Sequence, residues 1–387
     1  MGNLRILVFS ASFGAGHIRA ADAVIEAIRR KEPSAHFSHL DFVVLISKTL
    51  NSLIKTIYIQ LIKYTPKIWG HLYYGGDKVP QSKVLQQLLT LISKTRLIKT
   101  IYSLKPDVII CTHPTVAGIL SQLKLNRLLG MPLVTVITDY VVHRQWIHPG
   151  IDLYIVGSVD VYKGLVSRGV KPQRIKVTGI PVSLKFESNL DRPAIINKLG
   201  LLPDRPTVLI MGGAYGVLNS AKSLCENLAK MEFPIQSIVV CGQDEKLYHS
   251  LDGIVDEARN PILRLGYVDN VDELMTAADL IITKAGGLTV SEALTKRLPL
   301  IIFKPIPGQE EENTIFVTKI GAGLVASTPE EVEEILITLC QHPDELHKMR
   351  LAAAQAIPGR AAERAANYIL ELVEKTSASK VGSMVLN

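Results

Sequence analysis

The chain has 387 residues, of which 47% are hydrophobic and 20% charged. This composition excludes an intrinsically disordered protein and predicts two domains rather than one. The four cysteines are widely spaced and form no CxxC pair, so neither a disulfide framework nor a zinc site is expected, and a reducing cytoplasm is favoured. The N-terminus lacks the pattern of a signal peptide, and no apolar run reaches the roughly 20 residues that span a bilayer.

Apolar runs alternate with helical stretches along the chain, which is the pattern of parallel α/β sheets. Strands are predicted at residues 6–9, 108–111, 133–137 and 154–156, and helices at 20–30, 115–129 and 159–168. After a polar segment at 188–193, which is the predicted linker, strands are predicted at 207–211, 237–241, 262–265, 280–283 and 300–303, followed by a helical tail at 329–375. The expected fold class is α/β, with two Rossmann-like, doubly wound domains facing a central ligand cleft.

The charge is divided unequally between the two halves. Residues 1–186 contain 24 Lys and Arg against 9 Asp and Glu, whereas residues 187–387 contain 19 against 27. The asymmetry predicts an anionic partner for the first half, either a nucleic acid or an anionic lipid surface. Because no nucleic-acid recognition module is visible, we expect no nucleic-acid partner.

A glycine-rich turn containing Gly14, Gly16 and His17 follows the first predicted strand. Its glycines let the backbone approach a ligand, and the N–H groups of the following helix can bind an anion. Arg19 replaces the third glycine of a dinucleotide fingerprint, which disfavours an NAD-dependent oxidoreductase, and the chain has no GK[ST] sequence of a P-loop. A histidine here suits proton transfer; a tight turn with a structural histidine is the alternative.

Glycine turns recur in the second half. The sequence MGGAYG at residues 211–216 can present amides to a diphosphate. A later glycine turn opens a helix in which Glu292 can accept hydrogen bonds from ribose hydroxyls, and Lys284 can face a phosphate. A T-x-x-E capping box formed by Thr289 and Glu292 is the structural alternative.

The loop at residues 307–313 supplies Gln309 and Glu310, which offer the donors and acceptors that sugar hydroxyls require. Glu311 and Glu312 are expected only to complement the helix dipole. The chain has no DxD motif, so we expect helix dipoles and loop amides, without a metal or other cofactor, to stabilise a leaving diphosphate.

Six motifs in this order resemble glycosyltransferase family 28, a group of inverting enzymes with two Rossmann-like domains in the GT-B fold. The motifs are GAGH at 14–17, TDY at 138–140 with His143 and Trp146, GGAYG at 212–216, GYVDNVDEL at 266–274, TKAGGLTVSEAL at 283–294 and PGQEEEN at 307–313. Within the family, the resemblance is greatest to bacterial processive diacylglycerol glucosyltransferases and plant monogalactosyldiacylglycerol synthases, and it covers nearly the whole chain. Gly287 stands where many relatives carry proline, a mild departure.

The resemblance implies a role for each motif. His17 would act as general base or orienting donor at the reacting centre, with Asp139 and His113 as further candidates. The implied donor-binding residues are Tyr267 and Val268 for the uracil, Glu292 for the ribose, Gly213, Ala214, Tyr215, Gly216, Gly286 and Gly287 for the diphosphate, Gln309 and Glu310 for the hexose, and around them Gly14, Gly16, Lys284, Leu288, Thr289 and Asn313.

The segment from residue 41 to residue 102 is apolar and basic. Lys48, Lys55 and Lys63 interrupt its apolar stretches, and Trp69 adds an interfacial aromatic ring. Amphipathic segments of this kind lie on anionic lipid; a helix packed on the sheet is the alternative. Together with the charge asymmetry, the segment predicts peripheral docking at the inner face of the cell membrane, with diacylglycerol entering from the bilayer.

The implied reaction is inverting transfer of a hexose, with glucose favoured, from a UDP-sugar to diacylglycerol. A further transfer to the resulting glycolipid, and galactose in place of glucose, are left open. The alternatives are N-acetylglucosaminyl transfer to a polyprenyl-linked peptidoglycan precursor and a non-catalytic UDP-sugar sensor. The predicted domains are residues 1–186 for acceptor and membrane and 187–387 for the donor, with the terminal helix able to pack back on the first.

Overall fold

The computed structural model describes residues 3–11, 15–46, 95–212 and 220–385. Its chain forms two compact units. The first consists of Met1–Leu184 together with Pro358–Asn387, and the second of Lys185–Ile357. The C-terminal segment of the predicted second domain therefore belongs to the first unit.

The division between the units falls in the short 3-10 helix Leu184–Glu187, before the predicted linker at residues 188–193. The predicted linker directly follows this division, and its last two residues begin a helix of the second unit. The Asp191 side chain caps a helix by accepting the N–H of Ala194 at 3.3 Å. Polar capping residues resemble a linker in sequence, since both are rich in Ser, Asn, Asp and Pro.

The first unit contains a parallel six-stranded sheet with the strand order β2-β1-β3-β4-β5-β6. Its strands are β1 (Arg5–Ser10), β2 (His36–Asp41), β3 (Val108–Cys111), β4 (Leu133–Val136), β5 (Leu153–Val156) and β6 (Ile175–Val177). In β1, Leu7 and Phe9 enter one core cluster while Ile6 and Val8 enter another, because successive side chains point to opposite faces. Helices cover both faces, which is why the central strands read as continuous apolar runs.

Helices of the first unit alternate with these strands, and the described ones before Leu184 are given next. They are α1 (Gly16–Lys31), α2 (Phe42–Ile46), α3 (residues 95–104), α4 (Pro114–Leu125) and α5 (Val159–Ser167), with 3-10 turns at Arg144–Trp146 and Pro172–Arg174. The helices predicted at residues 20–30, 115–129 and 159–168 are confirmed, with α4 ending four residues earlier than expected.

The second unit contains another parallel six-stranded sheet, with the order β12-β11-β10-β7-β8-β9. Its strands are β7 (Thr207–Met211), β8 (Gln236–Val240), β9 (Ile262–Leu265), β10 (Leu280–Thr283), β11 (Leu300–Phe303) and β12 (Gly323–Ala326). Its described helices are α6 (Arg192–Lys198), α7 (Ala221–Lys230), α8 (Glu245–Ser250), α9 (Asp252–Asp256), α10 (Val271–Ala277), α11 (Gly287–Thr295), α12 (Gln309–Lys319), α13 (Pro329–Gln341) and α14 (Pro343–Ala356). All five strands predicted for this half are confirmed.

The chain returns to the first unit through α15 (Ala361–Val385). This helix packs on α1, and Ala362, Ala366 and Ile369 are fully buried in the same core cluster as Val24 and Ile28. Small alanines let the two helices approach closely, so the terminal helix covers a face of the sheet that would otherwise be open to water.

Three strands were missed by the sequence prediction, and all three lie at sheet edges. β2 carries HFSHLD, with no fully buried residue, β6 has three residues, and β12 buries only its two ends. An edge strand buries fewer of its side chains, so it lacks the continuous apolar run by which a central strand is recognised.

Candidate active site

The first sheet has a topological switch point between β1 and β3. The chain leaves β1 toward β2 on one side, and the sheet continues through β3 on the other, so the carboxyl ends of β1 and β3 border a crevice of the kind where ligands bind. Thr112, directly after β3, contacts both β1 and α1: its Oγ1 donates to the carbonyl of His17 at 2.9 Å, and its N–H donates to the carbonyl of Phe9 at 3.0 Å. His17 thus lies in the crevice of the first unit.

The His17 imidazole is enclosed by neighbouring side chains. Thr138 Oγ1 is 3.0 Å from its Nδ1, the His113 ring meets it edge-on with centroids 4.9 Å apart, and the Trp146 ring centroid is 6.4 Å away. The residue as a whole keeps some exposed surface, but burial of the ring lowers the pKa of His17 to about 4, against the opposing effect of a hydrogen bond to the Thr112 backbone. The imidazole is therefore neutral at pH 7, and in this structure it binds a proton more weakly than an ordinary histidine does.

His113 contacts this histidine, and Asp139 is the chain neighbour of Thr138, which also contacts it. His113 is the N-cap of α4, and its Nδ1 accepts the N–H of Thr115 at 3.3 Å. Burial, and secondarily the neighbouring His17, lower the pKa of His113 well below its usual value. Asp139 directly follows Thr138 and is buried. His113 thus has a capping function in the fold, while the catalytic assignments of His17 and Asp139 stay predictions.

The start of α1 lies at the same crevice. Gly16 is its first residue, the N-cap residue Ala15 makes no side-chain capping bond, and the first turn contains no acidic residue. The positive end of the helix dipole there favours an anion. Gly14 lies outside the described residues.

The second sheet has its switch point between β7 and β10. Gly286 is the N-cap of α11 and makes no side-chain capping bond, and Gly287 is the first helical residue. A Cβ built on Gly286 would meet no atom of the described residues within 4 Å, so among these residues its backbone borders open space. This combination can accommodate a diphosphate against the helix terminus.

Glu292 lies one turn into α11 and is only 3% exposed. Because the helix begins at Gly287, Thr289 is its third residue rather than its N-cap, and the T-x-x-E capping box is excluded. Leu288 is buried beside it, at 8% exposure. The structure thus removes the structural alternative for Glu292, whose binding of a ribose stays a prediction.

An ion pair between Lys284 and Glu310 connects the loop that follows β10 with the first turn of α12. Lys284 Nζ is 3.2 Å from Glu310 Oε1, and the other carboxylate oxygen accepts the N–H of Ile306 at 3.0 Å. Asn313, which is fully buried, donates from Nδ2 to the carbonyl of Ala285 at 3.0 Å. Lys284, predicted to face a phosphate, thus has Glu310 as its partner here, and Asn313 ties α12 to the glycine turn.

The residues before Gln309 enter α12 through a turn that requires glycine. Gly308 has a φ of 102°, and its N–H donates to Glu311 Oε2 at 3.2 Å. Gln309 follows as the first residue of the helix. The expectation that Glu311 serves the helix start is confirmed.

Tyr267 is 58% exposed and borders a pocket of about 430 Å³ at the carboxyl ends of β8 and β9. The pocket is lined by Gly242, Gln243, Glu245, Tyr248, His249, Gly266 and Tyr267. Of these, only Gly266 and Tyr267 belong to a motif recognised in the sequence. Gly242, with a φ of 61°, follows β8 closely, and a glycine at a strand's carboxyl end was the signal that could have indicated the rest.

Several predicted residues lie outside the part of the chain that the structure describes. These are Gly14, Gly213, Ala214, Tyr215 and Gly216 of the glycine turns, and Lys48, Lys55, Lys63 and Trp69 of the membrane segment. Their roles stay predictions. Within the described residues, no group of three or more His, Cys, Asp or Glu side chains could hold a metal ion, and no helix is long and apolar enough to cross a membrane.

Two protein families match the chain one after the other. Residues 17–182 match the monogalactosyldiacylglycerol (MGDG) synthase family, and residues 207–367 match the glycosyltransferase family 28 C-terminal domain. The chain is 33% identical over 351 residues to a processive diacylglycerol beta-glucosyltransferase of Bacillus subtilis, covering 90% of each chain. It is 32% identical over 377 residues to that of Staphylococcus haemolyticus, covering 97% of this chain and 94% of the relative.

Solved structures agree with the fold. MurG of Acinetobacter baumannii is 20% identical, with a TM-score of 0.65 over 95% of this chain and 99% of its own. The S. aureus MnaA–UDP co-structure is 17% identical, with a TM-score of 0.62 over 95% of this chain and 97% of its own. At these identities the likeness concerns the fold alone, and it confirms the predicted GT-B fold.

Proposed function

Because the chain belongs to glycosyltransferase family 28, we propose that it transfers glucose from UDP-glucose to diacylglycerol with inversion, forming a β-glucosyl diacylglycerol. The observation that carries the proposal is the relationship to processive diacylglycerol beta-glucosyltransferases along 90% of both chains. The buried, neutral His17 and the open terminus of α11 support it, because they supply a base and a diphosphate site at the switch points of the two sheets.

In the proposed reaction, the hydroxyl oxygen of diacylglycerol attacks the anomeric carbon of the sugar. His17 accepts the proton of that hydroxyl. The bond between that carbon and the diphosphate breaks, and UDP leaves from the opposite face, so an α-linked donor gives a β-linked product. Thr138 holds the imidazole in position through Nδ1. The backbone N–H groups of the first turn of α11, which begins at Gly287, stabilise the charge that develops on the diphosphate.

The hexose and the acceptor are identified by incubating the purified protein with vesicles that contain diacylglycerol or a polyprenyl-linked acceptor, together with radiolabelled UDP-glucose, UDP-galactose or UDP-N-acetylglucosamine, and then separating the lipids. We expect label in lipid from UDP-glucose. The match of residues 17–182 to the MGDG synthase family makes galactose the second candidate. Label only in a polyprenyl-linked acceptor, or uridine-nucleotide binding without turnover, would contradict the proposal in favour of the peptidoglycan-type transferase or the non-catalytic sensor.

We further propose that the reaction requires no metal. Helix termini and backbone amides replace the divalent ion that other transferases place on the diphosphate. Turnover is therefore expected to be unchanged, within about twofold, after dialysis against EDTA. A loss of turnover restored by Mg²⁺ or Mn²⁺ would show that a metal is part of the site.

We also propose that the enzyme works at the inner face of the cell membrane as a peripheral protein. Support comes from its proposed acceptor, a membrane lipid, and from the excess of basic residues in the first half of the chain.

A further inference from the structure

Tyr267 and Val268, the predicted contacts of the uracil, lie in a short loop between β9 and α10. β9 ends at Leu265, and α10 begins at Val271. Because Tyr267 is 58% exposed, packing against the core does not fix the position of its ring. Its placement therefore depends on how the backbone of the loop is held on either side.

Lys185 holds the side of this loop that leads into α10. Its ammonium group donates to the carbonyl of Asp269, two residues after Tyr267, and lies 3.3 Å from Oδ1 of Asp272 in the first turn of the helix. On the other side, the pairing of β9 with β8 holds the backbone up to Leu265. Only three residues separate the two anchored positions, and so short a segment has few conformations available.

Asp272 explains why the lysine stays in place. Its carboxylate is buried, and a buried carboxylate requires a charged or hydrogen-bonding partner. Lys296 also interacts electrostatically with this carboxylate, but its Nζ donates to the carbonyl of Ser188 at 3.1 Å rather than to the loop. The ion pair with Asp272 therefore keeps the Lys185 ammonium group beside the loop.

The residues before Lys185 are held separately. Ser183 and Leu184 belong to the first unit, and the Ser183 hydroxyl and the Leu184 N–H both donate to Oε2 of Glu26 on α1, at 2.9 and 3.2 Å. Lys185 is the first residue of the second unit. Changing its side chain therefore removes contacts to the loop and to α10 without removing the contacts of Glu26.

Lys198 offers a comparison on the same helix. It ends α6, which packs on α10, and its Nζ lies 2.8 Å from Oε2 of Glu273. The same oxygen accepts from Nδ2 of Asn270 at 2.9 Å. Lys198 thus pairs with a side chain of α10, whereas Lys185 also bonds to the backbone of the loop.

We propose that Lys185 is a positioning residue for nucleotide binding: by holding the Asp269 carbonyl, it keeps the preceding Tyr267 in the conformation that receives the uracil. The inference rests on the proposed function, in which the donor is a UDP-sugar. A loop that is ordered before the nucleotide arrives increases the affinity, because binding does not have to supply the ordering.

The test compares Lys185→Met, which removes the charge and the donor but keeps a long side chain, with Lys185→Arg, which keeps both. We expect Lys185→Met to bind UDP about tenfold more weakly in calorimetry, and Lys185→Arg to recover most of the affinity. The matched control Lys198→Met, which also removes an ion pair to α10, should bind UDP like the unaltered protein. An equal loss of affinity in the control would overturn the proposal.

Kinetics and hydrogen exchange distinguish positioning from a general loss of structure. Contacts to the uracil act equally on the bound substrate and the transition state, so Lys185→Met should raise the KM for UDP-glucose about tenfold and leave kcat within about twofold. In the protein without nucleotide, amide exchange in residues 266–270 should be faster in Lys185→Met and unchanged in Lys198→Met. Unchanged exchange in Lys185→Met would contradict the proposed anchor.

A second variant addresses stability. Lys185→Met leaves the buried Asp272 without its ion-pair partner, which can lower the melting temperature. Adding Asp272→Asn removes that charge, so the double variant should regain melting temperature and still bind UDP about tenfold more weakly. Recovery of the affinity together with the melting temperature would show that the lysine acts through stability alone, and would overturn the proposal.

The inference and the proposed function fail in different ways. Equal UDP affinity in the unaltered protein and in Lys185→Met would overturn the inference and leave the proposed function standing. Absence of UDP affinity in the unaltered protein would contradict the proposed function, and the inference with it.

Discussion

His17 combines a position at a switch point with a ring that is neutral at physiological pH. Its contacts to Thr138, His113 and Trp146 hold the imidazole in one orientation, which is what a proton acceptor needs if its nitrogen is to meet a substrate hydroxyl. At the residue scale, the proposal therefore depends on this one side chain.

Replacing His17 by alanine is expected to lower kcat by about 10²- to 10⁴-fold, the usual contribution of a general base. The affinity for UDP should be unchanged, because the predicted uridine and diphosphate contacts lie in the second unit. Turnover with labelled UDP-glucose and calorimetry with UDP measure the two effects. His347→Ala, at an exposed position of α14, is the control, and an unaltered rate in His17→Ala would rule out the base assignment.

The pH dependence follows from the pKa of His17, which is lowered to about 4. The neutral form is the base, so kcat/KM should show no titration of this group near neutrality and should fall only as the pH decreases toward 4. If kcat/KM instead decreased below a pH of about 6.5, the ordinary pKa of histidine, the His17 ring would not be buried in the free enzyme.

The same shift affects stability. Between pH 6.5 and about 4, the unfolded chain binds a proton at His17 that the folded chain does not, so the free energy of unfolding decreases as the pH falls through this window. In denaturant titrations, His17→Gln should show a weaker decrease than the unaltered protein over the same range.

At the scale of secondary structure, the start of α11 is the part of the second unit most suited to an anion. Its N-cap is a glycine with open space before it, and Glu292 lies buried one turn further on. The positive end of the helix dipole and the N–H groups of the first turn, from Gly287 onward, lie together there, whereas the N–H of Gly286 donates to the carbonyl of Lys284 at 2.8 Å.

Gly286→Ala tests this terminus without disturbing the fold. The φ of Gly286 is −67°, and a Cβ there meets no atom within 4 Å, so the melting temperature should not fall. A methyl group at this position would separate the backbone from the diphosphate, and we expect the affinity for UDP to fall about tenfold or more. Gly130→Ala is the control: a Cβ there also meets no atom of the described residues within 4 Å, and the substitution should change neither the melting temperature nor the affinity for UDP. If both variants bind UDP with equal affinity, the diphosphate does not bind at the start of α11.

At the scale of the whole molecule, the charge asymmetry distinguishes the two halves. The basic excess of residues 1–186 includes the predicted membrane segment with Lys48, Lys55 and Lys63. A negative bilayer attracts such residues by about 1 kcal/mol each near the surface, and the attraction falls within a Debye length.

Replacing Lys48, Lys55 and Lys63 by glutamate should weaken co-sedimentation with anionic vesicles, with the largest effect at low salt. Lys230, Lys246 and Lys319, exposed lysines of the second unit, replaced in the same way, provide the control. Unaltered sedimentation of the first variant would show that this segment does not take part in membrane docking.

The central strands of both sheets could be predicted from the sequence alone, because parallel strands covered on both faces must be apolar throughout, as Thr207–Met211 and Leu300–Phe303 are. The family could be recognised as well, since its motifs follow strand ends in a fixed order. His17 and Glu292 were found as candidates for the same reason.

Only the tertiary structure decided features that depend on residues distant in sequence. It placed Thr138 and His113 beside His17, paired Lys284 with Glu310, and returned α15 to the first unit. It also showed that α11 begins at Gly287, so the buried Glu292 is not part of a capping box. Local pattern determines which segments form strands and helices, whereas pKa shifts, ion pairs and the division into units arise from burial and proximity, which a linear pattern does not contain.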